Sequence, residues 1–364
     1  MDRKVKPRDD TSSAAVRYNG LRNPSRTYCY LNCILQPLFM TREFRDAVKS
    51  TAAERPEYID KELASLFEKL EEDTSSPSDI ITKLGVDSVT QQQDAAEYLE
   101  QILSLTSPTA SQVKILALAF CVCSNNNCFS KLKQIFRGQL SRTITCSTCQ
   151  TETGNDGPFW LLHIEMRNSK SLKKAFECLF RRLKLKKENQ VYCQKCGVKR
   201  DATIRAHVSS YPNVLMLLLK RLETEHLMKS KCGCFSVYKT QNCRNNDPHV
   251  KAPLKLKREG HHYELYGFVQ HFGNLAGGHY TATIKAHDRW FTFNDENVYR
   301  DVLDCQRDYV TLRNAYLLFY QKKQYNRKQD SHWCLGISNE CGCFVTRLKL
   351  NTDTEEEGRG QEDC

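Results

Sequence analysis

An α+β fold, helical in its first third and strand-rich beyond it, is what this sequence predicts, and three observations predict it. Leu63, Leu66, Phe67 and Leu70 recur three and four residues apart between charged residues, as on one face of a helix. After about residue 137 short apolar runs with aromatic content replace that spacing. The 364 residues are 40% hydrophobic and 27% charged, enough to bury one large core or two ordinary ones.

Taken in order, residues 1–17 form a polar leader, read as flexible. Thr27 precedes a helix-forming stretch carrying Leu31, Ile34, Leu35 and Leu38. Helical character continues from Glu43 to Thr106, interrupted at Thr74-Ser75-Ser76-Pro77-Ser78 and resumed from Asp94 to Leu105 with the stripe Ala95, Tyr98, Leu99, Ile102, Leu105. Strands are expected at Phe159–Leu162, Val214–Leu219, Tyr263–Phe272, Tyr280–Ile284, Trp290–Phe293 and Ala315–Tyr320. One helix interrupts them, with Leu172, Phe176, Leu179, Phe180 and Leu183 along its apolar side. Beyond Lys323 the chain turns polar, and residues 324–364 are expected to be a disordered tail.

No run of eighteen apolar residues occurs, so no membrane span or membrane partner is expected. The N-terminus carries no apolar signal region, which predicts a cytoplasmic or nuclear location where thiols stay reduced. The 18 cysteines then read as metal ligands, a nucleophile or small packing residues rather than disulfide partners. The net charge of +11 is concentrated between Asn168 and Arg200, with eleven Lys/Arg against two Glu. With no aromatic interleaving and no helix-turn-helix pattern, that stretch reads as the solvated faces around an amphipathic helix, and no specific nucleic-acid partner is expected.

Two stretches 250 residues apart carry chemistry. The first runs Gly20-Leu21-Arg22-Asn23-Pro24-Ser25-Arg26-Thr27-Tyr28-Cys29-Tyr30-Leu31-Asn32-Cys33-Ile34-Leu35-Gln36 and places Cys29 where a helix begins. A helix N-terminus or a neighbouring cation lowers a thiol from its usual pKa of about 8.5 to roughly 3.5–7.5. The second runs Gly277-Gly278-His279-Tyr280-Thr281-Ala282-Thr283, with Trp290-Phe291-Thr292-Phe293-Asn294-Asp295 behind it. It supplies an imidazole and, fifteen residues on, a group to orient it. Thiol, imidazole and orienting group are the three parts of a cysteine peptidase. A single Cys among 18, or a single His among ten, is more often a packing or surface residue, and it is the context of Cys29 and His279 that favours catalysis. Cys33 reads as packing. His271 lacks the preceding glycines.

Cys146-Ser147-Thr148-Cys149 and Cys193-Gln194-Lys195-Cys196 form two C-x-x-C knuckles with 43 residues between them. In a reduced compartment Cys146, Cys149, Cys193 and Cys196 read as a four-thiolate zinc site, structural because four protein ligands close it. Cys121, Cys123 and Cys128 form a triplet without a fourth partner, as do Cys232, Cys234 and Cys243, and neither reads as a metal site.

The two stretches closely resemble the cysteine and histidine boxes of the ubiquitin-specific proteases, the papain-like ubiquitin carboxyl-terminal hydrolases of peptidase family C19. The resemblance extends over about residues 18–323. It takes in Gln91-Gln92-Gln93-Asp94-Ala95-Ala96-Glu97-Tyr98-Leu99, the strand Tyr211-Pro212-Asn213-Val214-Leu215 to Lys220-Arg221, and Ala315–Tyr320. It implies a papain-like α+β fold with a helical thumb over 18–136, fingers and part of the palm over 137–260, and the rest of the palm over 261–323. Glu223–Gly260 matches poorly. The implied activity is thiol-dependent hydrolysis of the isopeptide bond after the C-terminal glycine of ubiquitin, with ubiquitin and ubiquitinated proteins as partners. Cys29 is the implied nucleophile, His279 the base, Asn294 its orienter with Asp295 in support, and Asn23 the oxyanion donor. Asp94 and Glu97, three apart on one helical face, would grip ubiquitin's basic tail, although acids also suit a helix N-terminus for their own sake. Gly277, Gly278 and Tyr280 would line the substrate. The family layout also places zinc at the tip of the fingers.

Three departures stand out. Six residues rather than five separate Asn23 from Cys29, Ser25 replaces a usual glycine, and Pro37 falls inside the expected helix. They motivate the alternative of a pseudoenzyme that keeps the fold and binds ubiquitin or a ubiquitin-like protein.

Overall fold

Helices come first because each long apolar stripe there finds a shared core. The computed structural model describes residues 17–52, 58–86, 93–106, 134–166, 169–220, 249–274, 277–303, 305–306 and 308–323. It opens with α1 (Cys29–Met40), α2 (Arg42–Ala52), α3 (Asp60–Glu72), α4 (Ser78–Lys83) and α5 (Ala95–Thr106). α3 buries Leu63, Leu66, Phe67 and Leu70, and α5 buries Ala95, Leu99 and Ile102. α1 is different, since every residue but Met40 is buried, which marks it as a central helix. Pro37 does not end it. A proline inside a helix removes one N–H, here the donor to the Cys33 carbonyl, and the helix runs on to Met40. Thr41 then closes the end by donating its N–H (3.0 Å) and hydroxyl (2.8 Å) to the Pro37 carbonyl.

The remainder is mostly strand: β1 (Gly138–Cys146), β2 (Glu152–Phe159), β3 (Leu161–Glu165), then α6 (Leu172–Leu179), β4 (Leu183–Leu185), β5 (Val191–Cys193), β6 (Val198–Arg200), β7 (Ala202–Ser210) and β8 (Val214–Lys220). After these come β9 (His249–Pro253), β10 (Lys255–Arg258), β11 (His261–Asn274), β12 (Gly277–Ala286), β13 (Arg289–Asn294), β14 (Asn297–Asp301), β15 (Tyr309–Arg313) and β16 (Ala315–Lys323). The large sheet runs β14-β13-β12-β11-β16-β8-β3, with β10 also on β11. All its pairings are antiparallel except β3 with β8.

Both faces of that sheet are covered, which explains its unbroken apolar runs. Val214 and Met216 of β8, and Leu317 and Phe319 of β16, pack with the helices α1 to α5. Their neighbours Leu215, Leu217, Leu219, Leu318 and Tyr320 pack on the opposite side with Phe176 of α6 and Val250 of β9. A second sheet, β2-β1-β7-β4, and the small hairpin β5-β6 carry the C-x-x-C knuckles.

The sequence expectation fails at three places. Leu183 is not on the helix: α6 stops at Leu179, and Leu183 pairs with Ile204 as part of β4. Phe159–Leu162 is not one strand, because β2 ends at Phe159, a bend falls at Trp160 and β3 starts at Leu161. β2, with sequence ETGNDGPF, is almost wholly exposed, and only the backbone ladder to β1 makes it a strand. Residues 1–16, Cys121, Cys123, Cys128, Cys232, Cys234, Cys243 and residues 324–364 lie outside the described residues.

Candidate active site

The site is assembled where the start of α1 meets one end of the β12–β13 hairpin. α1 packs on β12 and β13, and Cys29 is its first residue. The β12–β13 register pairs Ala282 with Phe293. One step further sets Asn294 beside Thr281, two residues from His279, so His279 and Asn294 share a face of the hairpin. His279 Nε2 lies 2.6 Å from Asn294 Oδ1. A carboxamide oxygen only accepts, so Nε2 carries the proton and Nδ1 is left for the thiol. The imidazole pKa is raised to about 9, chiefly by its hydrogen bond with Cys29; burial opposes this and Asn294 assists. A cysteine, a ring able to take its proton and a group fixing the tautomer therefore meet, as acyl transfer by a thiol requires.

Asp295 does not lie on the strand. β13 ends at Asn294, and Asp295 begins the two-residue turn to Asn297 with φ 51°. Its carboxylate accepts from Asn23 Nδ2 at 2.9 Å and from Asn32 Nδ2 at 2.8 Å, and its carbonyl accepts the Leu21 N–H at 2.9 Å. The chain before α1 thus lies against the hairpin turn. Gly20 is needed for that approach, because a Cβ there would sit 2.5 Å from the Glu296 carbonyl carbon.

The extra residue before Cys29 is absorbed locally. The Arg26 N–H closes a turn on the Asn23 carbonyl at 3.1 Å, and Arg26 takes φ 59°. Asn23 still reaches the helix start, its Oδ1 accepting the Tyr28 N–H at 3.0 Å. Its amide nitrogen spends one hydrogen on Asp295, which leaves one for a substrate oxygen. Cys33 is 2% exposed, with its thiol donating to the Tyr30 carbonyl, and burial raises its pKa well above normal.

Asp94 is the N-cap of α5, accepting from the Ala96 (2.7 Å) and Glu97 (3.2 Å) N–H groups and from the Tyr316 hydroxyl. Both Asp94 and Glu97 are exposed. Tyr280 is buried and stacks on His271 with ring centroids 4.3 Å apart. Gly277 pairs with Asn274 and Gly278 with Gly273. A Cβ on Gly278 would run into the Phe272 carbonyl and His271 Nε2, so the adjacent strand already demands a glycine there.

The sulfurs of Cys146, Cys149, Cys193 and Cys196 lie within 4.8 Å of one another and can bind a metal ion. Both knuckles have the same backbone form. Gln150 donates to the Cys146 carbonyl at 3.0 Å with φ 56°, and Gly197 donates to the Cys193 carbonyl at 2.9 Å with φ 70°. The Thr151 hydroxyl beside Cys149 lowers that thiol to about 6, while the neighbouring thiols push Cys196 up to about 12.

Asn32, in the first stretch, has no role on sequence alone. Its signal is its polarity inside a largely apolar helix.

Residues 19–320 match the family model described as ubiquitin carboxyl-terminal hydrolase. Ubiquitin carboxyl-terminal hydrolase 48 of Danio rerio is 28% identical over 84% of this chain and 31% of its own length. Ubiquitin carboxyl-terminal hydrolase 12 of Salmo salar is 28% identical over 84% of this chain and 90% of its own. Ubiquitin carboxyl-terminal hydrolase 8 of Saccharomyces cerevisiae is 30% identical over 65% and 50%. The chain therefore spans no more than half the length of two of these three relatives. The fold is similar to that of yeast SAGA DUBm with an Sgf73 mutant, at TM-score 0.64 and 24% identity over 85% of this chain and 69% of that one. It is likewise similar to the SAGA Ubp8/Sgf11/Sus1/Sgf73 DUB module bound to ubiquitin aldehyde, at TM-score 0.60 and 24% identity over 85% and 70%.

Proposed function

The chain belongs to the ubiquitin carboxyl-terminal hydrolase family, and on that premise we propose that it is a thiol-dependent deubiquitinase cleaving the isopeptide bond after ubiquitin's C-terminal glycine. The observation that carries this reading is the hydrogen-bonded series Cys29, His279, Asn294 at the head of α1. The Cys29 sulfur attacks the glycine carbonyl carbon, and the thiol proton passes to His279 Nδ1. The tetrahedral oxyanion is held by the remaining Asn23 amide hydrogen, with backbone N–H groups beside Cys29 in support. His279 then protonates the lysine nitrogen as the C–N bond breaks, leaving a thioester. Water, deprotonated by the same ring, attacks the thioester and releases ubiquitin and the thiol. Asn294 fixes the ring throughout.

In this reading residues 18–136 are the thumb, 137–260 the fingers and part of the palm, and 261–323 the remaining palm. Asp94 and Glu97 attract ubiquitin's basic tail, and Gly277, Gly278 and Tyr280 border its path. The four-cysteine cluster holds a structural zinc, which supplies rigidity and no step of the reaction. Among the described residues no helix is long and apolar enough to cross a membrane. The reduced thiol that the reaction needs fits the cytoplasm or nucleus, where we place the activity. The Arg26 turn argues against the binding-only alternative, since it takes up the extra residue without releasing Asn23 from the helix start.

The test is incubation with ubiquitin bearing a C-terminal thiol-reactive group, read by intact mass. One adduct in the wild type, absent in Cys29→Ala, is expected. No adduct on a folded protein sinks the proposal, and an adduct surviving Cys29→Ala moves the nucleophile.

A further inference from the structure

Asn32 sits one turn into α1 behind Cys29, 2% exposed, in a helix that is otherwise almost wholly apolar. Its amide nitrogen faces three oxygens: Asp295 Oδ1 at 2.8 Å, the Leu21 carbonyl at 3.2 Å and the Arg22 carbonyl at 3.4 Å. Its own Oδ1 is buried and has no hydrogen-bond partner among the described residues. We propose that Asn32 is a positioning residue for the reaction: by holding the Asp295 carboxylate it fixes the Asn23 amide beside Cys29. The inference rests on the hydrolase reading above.

The bonds form a closed circuit. Asn32 on α1 holds Asp295 Oδ1, Asp295 Oδ2 holds Asn23 Nδ2, and Asn23 Oδ1 holds the Tyr28 N–H immediately before Cys29. Without Asn32, Asp295 keeps one amide donor and can swing, carrying Asn23 with it. An oxyanion donor works only within a few tenths of an ångström of its place, so a small swing is costly to the reaction. The fold has less at stake. Replacing Asn32 by an apolar side chain of similar size removes donors from Asp295 and also removes the orphaned Oδ1, and these effects on stability oppose each other. Cys29, His279 and Asn294 do not depend on this circuit for their mutual contacts.

The experiment compares Asn32→Leu and Asn32→Ser in the full chain, using ubiquitin with a C-terminal fluorogenic amide. For Asn32→Leu, kcat should fall about 10- to 100-fold, no more than loss of an oxyanion donor itself. KM should stay within about twofold, and alkylation of Cys29 by chloroacetate should keep its wild-type pH profile. On an Asp295→Ala background the same substitution should lower kcat by less than about twofold, because its contact is already gone. Unchanged kcat in folded Asn32→Ser, or losses that multiply in the double variant, overturn the inference. A wild type that alkylates normally yet leaves the ubiquitin amide intact overturns the hydrolase reading, and this inference falls with it.

Discussion

Gly20→Ala is the sharpest test of how the two halves of the site are joined. The added Cβ would lie 2.5 Å from the Glu296 carbonyl carbon and 2.6 Å from its Cα, and closer still to the Asp295 oxygen. All three are backbone atoms, so no side chain can rotate away. Relief to 3.0 Å, the lower limit of real Cβ contacts, requires a separation of at least half an ångström. That movement stretches the Leu21 N–H bond to Asp295, now 2.9 Å. Overpacking costs about 1–3 kcal/mol and the strained bond about 1 kcal/mol, so Tm should fall by roughly 3–6 °C for a domain of this size. The hairpin carries Asn294 with it, and since a misplacement of about 1 Å costs on the order of 10²-fold, kcat/KM on the fluorogenic ubiquitin amide should drop about 10- to 100-fold. Gly85→Ala is the control. Gly85 has φ 64° and nothing within 4 Å of its Cβ position, so this variant should lose about 1 kcal/mol and no activity. A Gly20→Ala protein within twofold of wild-type kcat/KM would refute the contact of Gly20 and Leu21 with the hairpin turn as a positioning element.

Other expectations follow from the same geometry. His279 is raised to about 9 by Cys29 and Asn294, so its imidazolium contributes stability fully below the usual 6.5 and loses it as pH rises through about 9. Chloroacetate, an anion that needs the imidazolium's charge, should alkylate Cys29 at a rate falling near pH 9, and Asn294→Ala should move that limb down; an unmoved limb would contradict the Asn294 bond. Asp94→Asn keeps the cap to the Ala96 and Glu97 N–H groups but removes the charge, so Tm should hold while KM for the ubiquitin amide rises several-fold; an unchanged KM would leave Asp94 a cap alone. Cys149→Ser should abolish stoichiometric zinc in elemental analysis and lower Tm while Cys29 still alkylates, and zinc-free wild type would count against the metal. Leu217→Ala, at a fully buried position in β8, should cost about 2–5 kcal/mol in denaturant titration, and a loss under 1 kcal/mol would mean the sheet repacks.

The parts of the fold legible in the sequence are those whose pattern is local. Val214–Leu219 and Ala315–Tyr320 read as strands because both their faces are covered, and Leu63 to Leu70 reads as helix from its spacing. β2 escaped notice because nothing on it is buried; only its pairing with β1 defines it. Cys29, His279 and Asn294 were recognisable from their boxes. The circuit through Asn32, Asp295 and Asn23 was not, because alternation along a strand says nothing about a residue that turns off it at φ 51°. Pro37 and the extra residue before Cys29, taken up at Arg26, look like damage in one dimension. In three, the first removes a single bond from a deeply buried helix, and the second takes the left-handed turn that keeps Asn23 in place.

The distance along the chain between the parts of the site also has a temporal side. Asn23 and Asp295 are 272 positions apart yet share a hydrogen bond, among the least local contacts a chain of this length can make. During synthesis, which proceeds N-terminus first at about 5–20 residues per second, Cys29 emerges well before the hairpin that completes it. Throughout that interval it has no imidazole partner. A chain cut short before Asn294 is made without the group that fixes the His279 ring.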